Sequence, residues 1–281
     1  MPEGPEIRRA ADELAEVLTD RPLAQVWFRF PHLEACSAGL AQERIREVRA
    51  WGKALLIEFD GGRTLYTHNQ LYGRWYIRRA GKRPSTGRDL RVAIETERHA
   101  ALLYSASEIE LLDPGAWQAH PFLGKLGPDV FAASTTPAFL RRRFCSPRFR
   151  GRALGGLLMD QGFLAGLGNY LRSEILFAAG VHPDQRARDL DDAHLAHLCR
   201  QIRALARRAY LTAGETAPKG WVRARQALGL PRRACRHLVF ERDDEPCPRC
   251  GAGIRRLDCA GRRLYLCGSC QPATLARRLS P

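Results

Sequence analysis

The stretch Cys247-Pro248-Arg249-Cys250-Gly251-Ala252-Gly253-Ile254-Arg255-Arg256-Leu257-Asp258-Cys259-Ala260-Gly261-Arg262-Arg263-Leu264-Tyr265-Leu266-Cys267-Gly268-Ser269-Cys270 carries two Cys-x-x-Cys pairs separated by 16 residues. This is the ligand spacing of a structural zinc ribbon, in which Cys247, Cys250, Cys267 and Cys270 surround one tetrahedral ion. Two short knuckles joined by a hairpin of this length bury little core, so the metal is expected to supply much of the folding free energy. A redox dithiol pair is the other reading of Cys-x-x-Cys, and the matched recurrence of the spacing favours the metal. Cys36, Cys145, Cys199, Cys235 and Cys259 lack partners at such spacing and read as ordinary thiols.

Outward from the finger, charge is the next signal. The chain of 281 residues has a formal net charge of +15. Residues 1–130 hold 18 Lys and Arg against 18 Asp and Glu, whereas residues 131–281 hold 27 against 12. The whole excess therefore sits in the second half and is carried almost entirely by arginine, which grips phosphate bidentately. A polyanion-binding domain explains this segregation better than generic basicity. No run of 18 apolar residues occurs and residues 1–20 are charged throughout, so a membrane span and a secretory signal are not expected. A cytosolic, nucleoid-associated protein is expected, whose nine cysteines serve as thiols or metal ligands.

Periodicity divides the chain. Residues 6–18 place Ile7, Ala10, Ala11, Leu14, Val17 and Leu18 at helical spacing, with Pro5 suited to the first turn. Between 23 and 105 the period shifts toward two, in segments such as 26–30, 54–59, 74–78, 90–95 and 101–104, which predicts a sandwich or barrel. Around 120–136 the chain reads as a linker. Beyond it helices are predicted for 137–144, 154–164, 169–179 and 191–210, and 212–236 reads as a mobile basic loop or a loop with one short helix. The layout expected is an α+β multidomain protein. It has a helix plus β-sandwich domain at 1–124, a linker at 125–134, a helical domain at 135–235, a four-cysteine zinc finger at 236–272 and a tail at 273–281.

Several short motifs fit chemistry. Removal of Met1 would leave Pro2 with a secondary amine, far less basic than lysine, so that much more of it is neutral at physiological pH, close to Glu3 and Glu6. Such an amine attacks an aldehyde-level carbon to give an iminium ion; a frayed terminus is the alternative. Gly166-Leu167-Gly168-Asn169 opens a predicted helix and suits a phosphate, although glycines at a helix-turn-helix also occur for steric reasons. Lys53, one of only four lysines beside 41 arginines, stands at the start of a predicted strand as a phosphate clamp, a proton donor or a solvated side chain. Gln70-Leu71-Tyr72 offers an amide, an apolar wedge and an aromatic ring, which suits a gap in a base stack or a half-buried hairpin.

The runs 1–10, Gly52-Lys53-Ala54-Leu55-Leu56, His68-Asn69-Gln70-Leu71-Tyr72-Gly73, His120-Pro121-Phe122-Leu123, Gly127-Pro128-Asp129-Val130, 166–172 and the four cysteines occur in order along nearly the whole chain. In these the sequence resembles the formamidopyrimidine-DNA glycosylase family, in its endonuclease VIII branch. The resemblance implies a helix plus β-sandwich domain, a helix-two-turn-helix module and a zinc finger whose hairpin tip reaches DNA. It implies a bifunctional DNA glycosylase and AP lyase of base excision repair that removes oxidised pyrimidines and cleaves the strand by β,δ-elimination. Pro2 would be the nucleophile, Glu3 the acid/base beside it, and Lys53 the phosphate-contacting general acid. Asn169 and Arg262 match the phosphate-binding pair and Gln70, Leu71 and Tyr72 the void-filling triad, while Glu6 and Asp160 match supporting positions. The partner implied is double-stranded DNA with damaged bases or abasic sites, bound by a monomer without a redox or nucleotide cofactor. Two departures bear on the lesion preferred: segment 212–236 is longer and more basic than the branch leads one to expect, and Arg263-Leu264 replaces the usual Pro-Phe pair. The same chemistry on oxidised purines and a non-catalytic lesion-binding zinc protein are the competing readings.

Overall fold

A computed structural model describes residues 2–273. Met1 and residues 274–281, which hold nearly all of the expected tail, lie outside the described residues. The chain divides into two compact units, 1–125 and 126–281.

The first unit opens with α1 (Gly4–Leu18), started by Glu3 at its N-cap and Pro5 in its first turn. The Glu6 carboxylate accepts the Glu3 N–H at 2.9 Å, satisfying a donor that the helix leaves over. Ile7, Ala11, Leu14 and Leu18 form its buried stripe, which packs against β2 and β3. Each of the three larger side chains stabilises by about 2 kcal/mol on burial. Eight strands follow: β1 (Leu23–Phe28), then the single-turn helices α2 (Pro31–Glu34) and α3 (Ser37–Leu40), β2 (Ile45–Trp51), β3 (Ala54–Phe59), β4 (Thr64–His68), β5 (Arg74–Arg79), β6 (Leu90–Thr96), β7 (His99–Tyr104) and β8 (Glu108–Leu112). They form two antiparallel sheets in the orders β1-β6-β7-β5 and β2-β3-β4-β8, the expected sandwich. Alternation in β6 and β7 serves two layers: Val92, Ile94, Ala101 and Leu103 face the main core, and Ala93, Ala100, Leu102 and Tyr104 a smaller cluster with Trp27 and Tyr76. His120 and Leu123 are buried, with the His120 ring 4.5 Å from that of Tyr66, so the first part of the linker-like stretch packs on β4.

The second unit contains α4 (Pro137–Cys145), α5 (Leu154–Leu157), α6 (Asn169–Ala179), α7 (Asp192–Leu211), α8 (Lys219–Ala227), α9 (Arg232–Cys235) and the hairpin β9 (Ile254–Cys259)–β10 (Arg262–Cys267). Thr136 and Asp191 cap α4 and α7 by accepting the N–H groups of Phe139 and His194. Leu140, Phe144, Leu157, Phe163, Leu171, Ile175, Leu198 and Ile202 build a common core.

Two expectations are corrected. The helix predicted over 154–164 stops at Leu157, because polar side chains take over the backbone's hydrogen bonds. Asp160 Oδ1 accepts the Gly162 N–H, and the Gln161 amide donates to the carbonyls of Met159 and Leu167 while accepting the Gly166 N–H. Segment 212–236 contains two helices, α8 and the single turn α9. They close around Ala217, Val222 and Cys235, and Arg225 Nε donates to the Ala234 carbonyl at 3.0 Å. Only Val222 of α8 is buried, which is why periodicity could not show it.

Candidate nucleic-acid and catalytic site

In the first unit the candidate residues stand at turns held by the sandwich. Pro2 precedes the buried Glu3 at the amino end of α1, so the helix fixes where the chain's first carboxylate lies. Lys53 occupies the second position of the two-residue β2–β3 turn, between paired Trp51 and Ala54. Gly52 takes φ +62°, which such a turn needs at its first position. Ala54, the next residue, pairs across the sheet with His68, which is pushed below its ordinary pKa by burial and further by the Lys53 ammonium, with Glu108 opposing.

Residues 69–73 cross from β4 in one sheet to β5 in the other. The loop closes through Gly73 N–H donating to the Asn69 carbonyl at 2.7 Å, and a Cβ at position 73 would lie 2.7 Å from that backbone, so glycine is required. Closure turns the middle of the loop outward, leaving Leu71 57% and Tyr72 68% exposed. Exposure of this size on both residues departs from the half-buried hairpin. Gln70, at φ +47°, is held at both ends of its amide: Nε2 donates to Glu108 and Oε1 accepts from Ser107 at 2.8 Å. Arg88 donates to the Tyr72 carbonyl. None of Arg88, Ser107 and Glu108 is identifiable from local sequence, since each lies 16 or more residues from its partner.

In the second unit Asn169 and Arg262 are 93 residues apart in sequence yet share one partner, Arg172. Its guanidinium is fully buried and donates to Asn169 Oδ1 at 2.6 Å, to the carbonyls of Arg262 and Arg263 at 3.4 and 3.2 Å, and to those of Gly155 and Cys259 at 3.2 and 3.0 Å. Arginine has no acceptor, so Asn169 must turn its oxygen toward Arg172 and keep its amide N–H groups as donors for an anion. Arg262 begins β10 and is exposed. Asp160 stands in a turn, where burial opposes its ionisation but Arg152 at 2.5 Å and the Gly162 N–H hold its carboxyl below the usual range.

Glu174, also on α6 and buried, accepts the N–H groups of Leu238, Val239 and Phe240 at 2.7–3.1 Å and the Thr216 hydroxyl at 2.8 Å. It anchors the chain where it enters the finger. The signal that could have found both residues is an arginine and a glutamate inside an otherwise apolar helix, since buried charges require partners.

The four finger thiols all lie within 4.8 Å of one another, with Sγ separations of 3.8 Å for Cys247–Cys270 and 3.5 Å for Cys250–Cys267. Tetrahedral zinc–thiolate bonds of about 2.3 Å place sulfurs about 3.8 Å apart, so the donor set fits that ion. Cys250 is pushed down to about 7 by the Ala252 N–H and the neighbouring thiols, while burial pushes Cys247 and Cys270 up. The finger is not core-poor, because Phe177 of α6 joins Val239, Ile254 and Tyr265 in its interior. Arg249 lies 4.3 Å over the Phe177 ring and donates to the carbonyls of Phe177 and Ala178. Gln271 Nε2 donates to the Val181 carbonyl at 2.9 Å.

Comparison with known proteins places this architecture. Residues 1–108 match the formamidopyrimidine-DNA glycosylase N-terminal domain and residues 126–218 the formamidopyrimidine-DNA glycosylase H2TH domain. The chain is 45% identical over 271 residues to Endonuclease 8 of Escherichia coli and 46% identical to that of Pectobacterium carotovorum, covering 96% of this chain and 100% of each relative. Lactococcus lactis Fpg (MutM) in complex with N7-benzyl-Fapy-dG DNA has a TM-score of 0.76 at 20% identity, over 96% of this chain and 100% of that one. The same enzyme with DNA containing an oxidised pyrimidine gives the same values, and at this identity the likeness concerns the fold alone. The matched domains and relatives make this a DNA glycosylase with AP lyase activity. Within that class, the chain belongs to the formamidopyrimidine-DNA glycosylase family.

Proposed function

We propose that the enzyme acts in base excision repair, removing oxidised pyrimidines from duplex DNA through a covalent iminium at Pro2 and then cutting the strand. The observation that carries this reading is the placement of Pro2 and the buried Glu3 at the start of α1, in a chain 45% identical to Endonuclease 8 over that relative's full length. The damaged nucleotide is flipped out of the stack at a cost of a few kcal/mol, which weakly stacked, non-planar pyrimidines lower. With Met1 removed, the neutral Pro2 nitrogen attacks C1′ as the base leaves, and Glu3 handles the proton. The iminium acidifies the C2′ hydrogen; its removal expels the 3′ phosphate, and a second elimination expels the 5′ phosphate. Lys53, Asn169 and Arg262 hold the flanking phosphates, with Glu6 and Asp160 supporting their elements. Gln70, Leu71 and Tyr72 fill the void left by the flipped nucleotide. Four thiolates hold one zinc ion, whose contribution is structural: it fixes the hairpin that presents Arg262.

Borohydride trapping on duplexes carrying thymine glycol, dihydrouracil or 8-oxoguanine tests this directly. The native enzyme is expected to form a covalent adduct, preferentially on the two pyrimidine lesions, and Pro2→Gly to form none. Absence of adduct with the native enzyme would remove the mechanism, and preference for 8-oxoguanine would transfer it to oxidised purines.

A further inference from the structure

The loop that follows α4 and the loop that follows α6 lie side by side. Arg188 N–H donates to the Arg150 carbonyl at 3.2 Å, Ala153 and Arg186 form an antiparallel bridge, and the N–H groups of Leu154 and Gly155 donate to Gln185 and Pro183 at 2.9 and 2.7 Å. This pairing fixes two backbones and gathers five exposed arginines: Arg148, Arg150, Arg152, Arg186 and Arg188. Arg152 pairs with Asp160, and Arg188 approaches Asp189 at 3.8 Å. Asp189 also accepts the Arg186 N–H, and Asp184 is exposed nearby. Arg148, Arg150 and Arg186 have no carboxylate partner among the described residues, and Arg148 rests over the Phe149 ring at 5.1 Å. Gathering like charges without counter-ions costs free energy, and an anionic partner recovers it.

The strip meets the Asn169–Arg262 cluster at Gly155. Gly155 at its end gives its carbonyl to Arg172 and sits so near the finger that a Cβ there would come within 2.8 Å of Cys259 Sγ, while Gly156 faces Ala260 at the hairpin turn. Besides the exposed Arg255, Arg256 and Arg263 of the hairpin itself, a polyanion bound at Asn169 and Arg262 therefore has this row of guanidinium groups as a continuation along the paired loops. We propose that Arg148, Arg150 and Arg186, supported by Arg152 and Arg188, form a second phosphate track that holds the arm of the duplex beyond the lesion. This proposal rests on the DNA-binding reading above. The bidentate donors suit phosphodiester oxygens, and the lack of aromatic side chains exposed along the strip points to backbone contact rather than base contact.

The test is equilibrium binding, by fluorescence anisotropy across a salt series, to duplexes carrying an uncleavable tetrahydrofuran abasic analogue with either short or long arms. Each phosphate contact contributes about −0.9 to the slope of log affinity against log salt. The variant with Arg148, Arg150 and Arg186 changed to Gln is expected to match the native enzyme on the short duplex, both in affinity and in borohydride trapping of a lesion. On the long duplex it should lose a slope of about 2 to 3 and bind at least tenfold more weakly at moderate salt. An equal-charge control with Arg141, Arg142 and Arg200 changed to Gln should keep the native slope. A native slope that does not depend on arm length, a triple variant that keeps it, or a control that loses as much would each overturn the track. Trapping judges the proposed chemistry separately, because a protein that binds through this strip and forms no adduct retains the slope.

Discussion

The Arg172 guanidinium donates to Asn169 Oδ1 at 2.6 Å while holding the carbonyls of Arg262 and Arg263, so one buried side chain sets both members of the proposed phosphate-binding pair. Lysine keeps the charge but lacks the planar fork that reaches several acceptors at once. Arg172→Lys is therefore expected to weaken binding to an abasic-analogue duplex by about tenfold or more, since hydrogen bonds to a charged group contribute about 1.5–3 kcal/mol each. Single-turnover kinetics should show the loss mainly in KM. A variant with native affinity would show that Asn169 and Arg262 are set independently.

Leu71 and Tyr72 contribute little to folding, being more than half exposed. Replacing both with Ala should leave the thermal midpoint within a degree or two and reduce kcat/KM on a duplex lesion by tenfold or more, given about 1–3 kcal/mol for the stacked Tyr72 ring alone. On single-stranded DNA carrying the same lesion, where no void opens in a stack, the reduction should be much smaller. Equal loss on both substrates would contradict a void-filling role.

Metal analysis of the purified protein should find one zinc per chain, and Cys250→Ser or strong chelation should remove it. The expected consequence is loss of the β9–β10 hairpin's protection from proteolysis and a fall in DNA affinity of at least tenfold as Arg262 loses its position. Native affinity after complete metal removal would show that the contacts to α6 suffice to hold the finger.

His237 is stacked on Tyr170 at 5.0 Å, and its Nδ1 lies 2.8 Å from Thr216 Oγ1, whose own hydrogen goes to Glu174. Burial, reinforced by Arg236 and Arg232, pushes its pKa down to about 3 from 6.5. The unfolded chain thus takes up a proton near pH 6.5 that the folded chain refuses until about pH 3, so stability falls as pH drops through this window, by up to about 1.4 kcal/mol per pH unit. Urea midpoints between pH 7 and 4 should show that slope for the native protein and a flatter one for His237→Gln. Identical slopes would locate the acid sensitivity elsewhere.

Much of this was legible along the chain, and the boundary is physical. α1 and α7 carry apolar stripes because each buries one face, and the strands follow the two-residue pleat; local sequence records that directly. The Asn169–Ala179 helix even shows its buried charges, but not that Arg172 reaches residues some 90 positions away. The short turn at Asp160 and Gln161 escaped because side-chain hydrogen bonds, not apolar spacing, end the helix. Lys53 reads as the start of a strand, whereas pairing of Trp51 with Ala54 puts it at the tip of a turn, a difference made by the partner strand.

The contacts of Arg249 and Gln271 with α6 and the residues just beyond it have a consequence for heredity and for engineering. The metal knuckles borrow Phe177 as part of their own interior and lean on the last carbonyls of α6, so they are not a cassette that can be lifted out or exchanged between relatives. A graft must carry the matching helix face with it. Natural drift faces the same coupling: a change at Phe177 constrains which knuckle sequences remain acceptable, tying the histories of two segments some 70 residues apart.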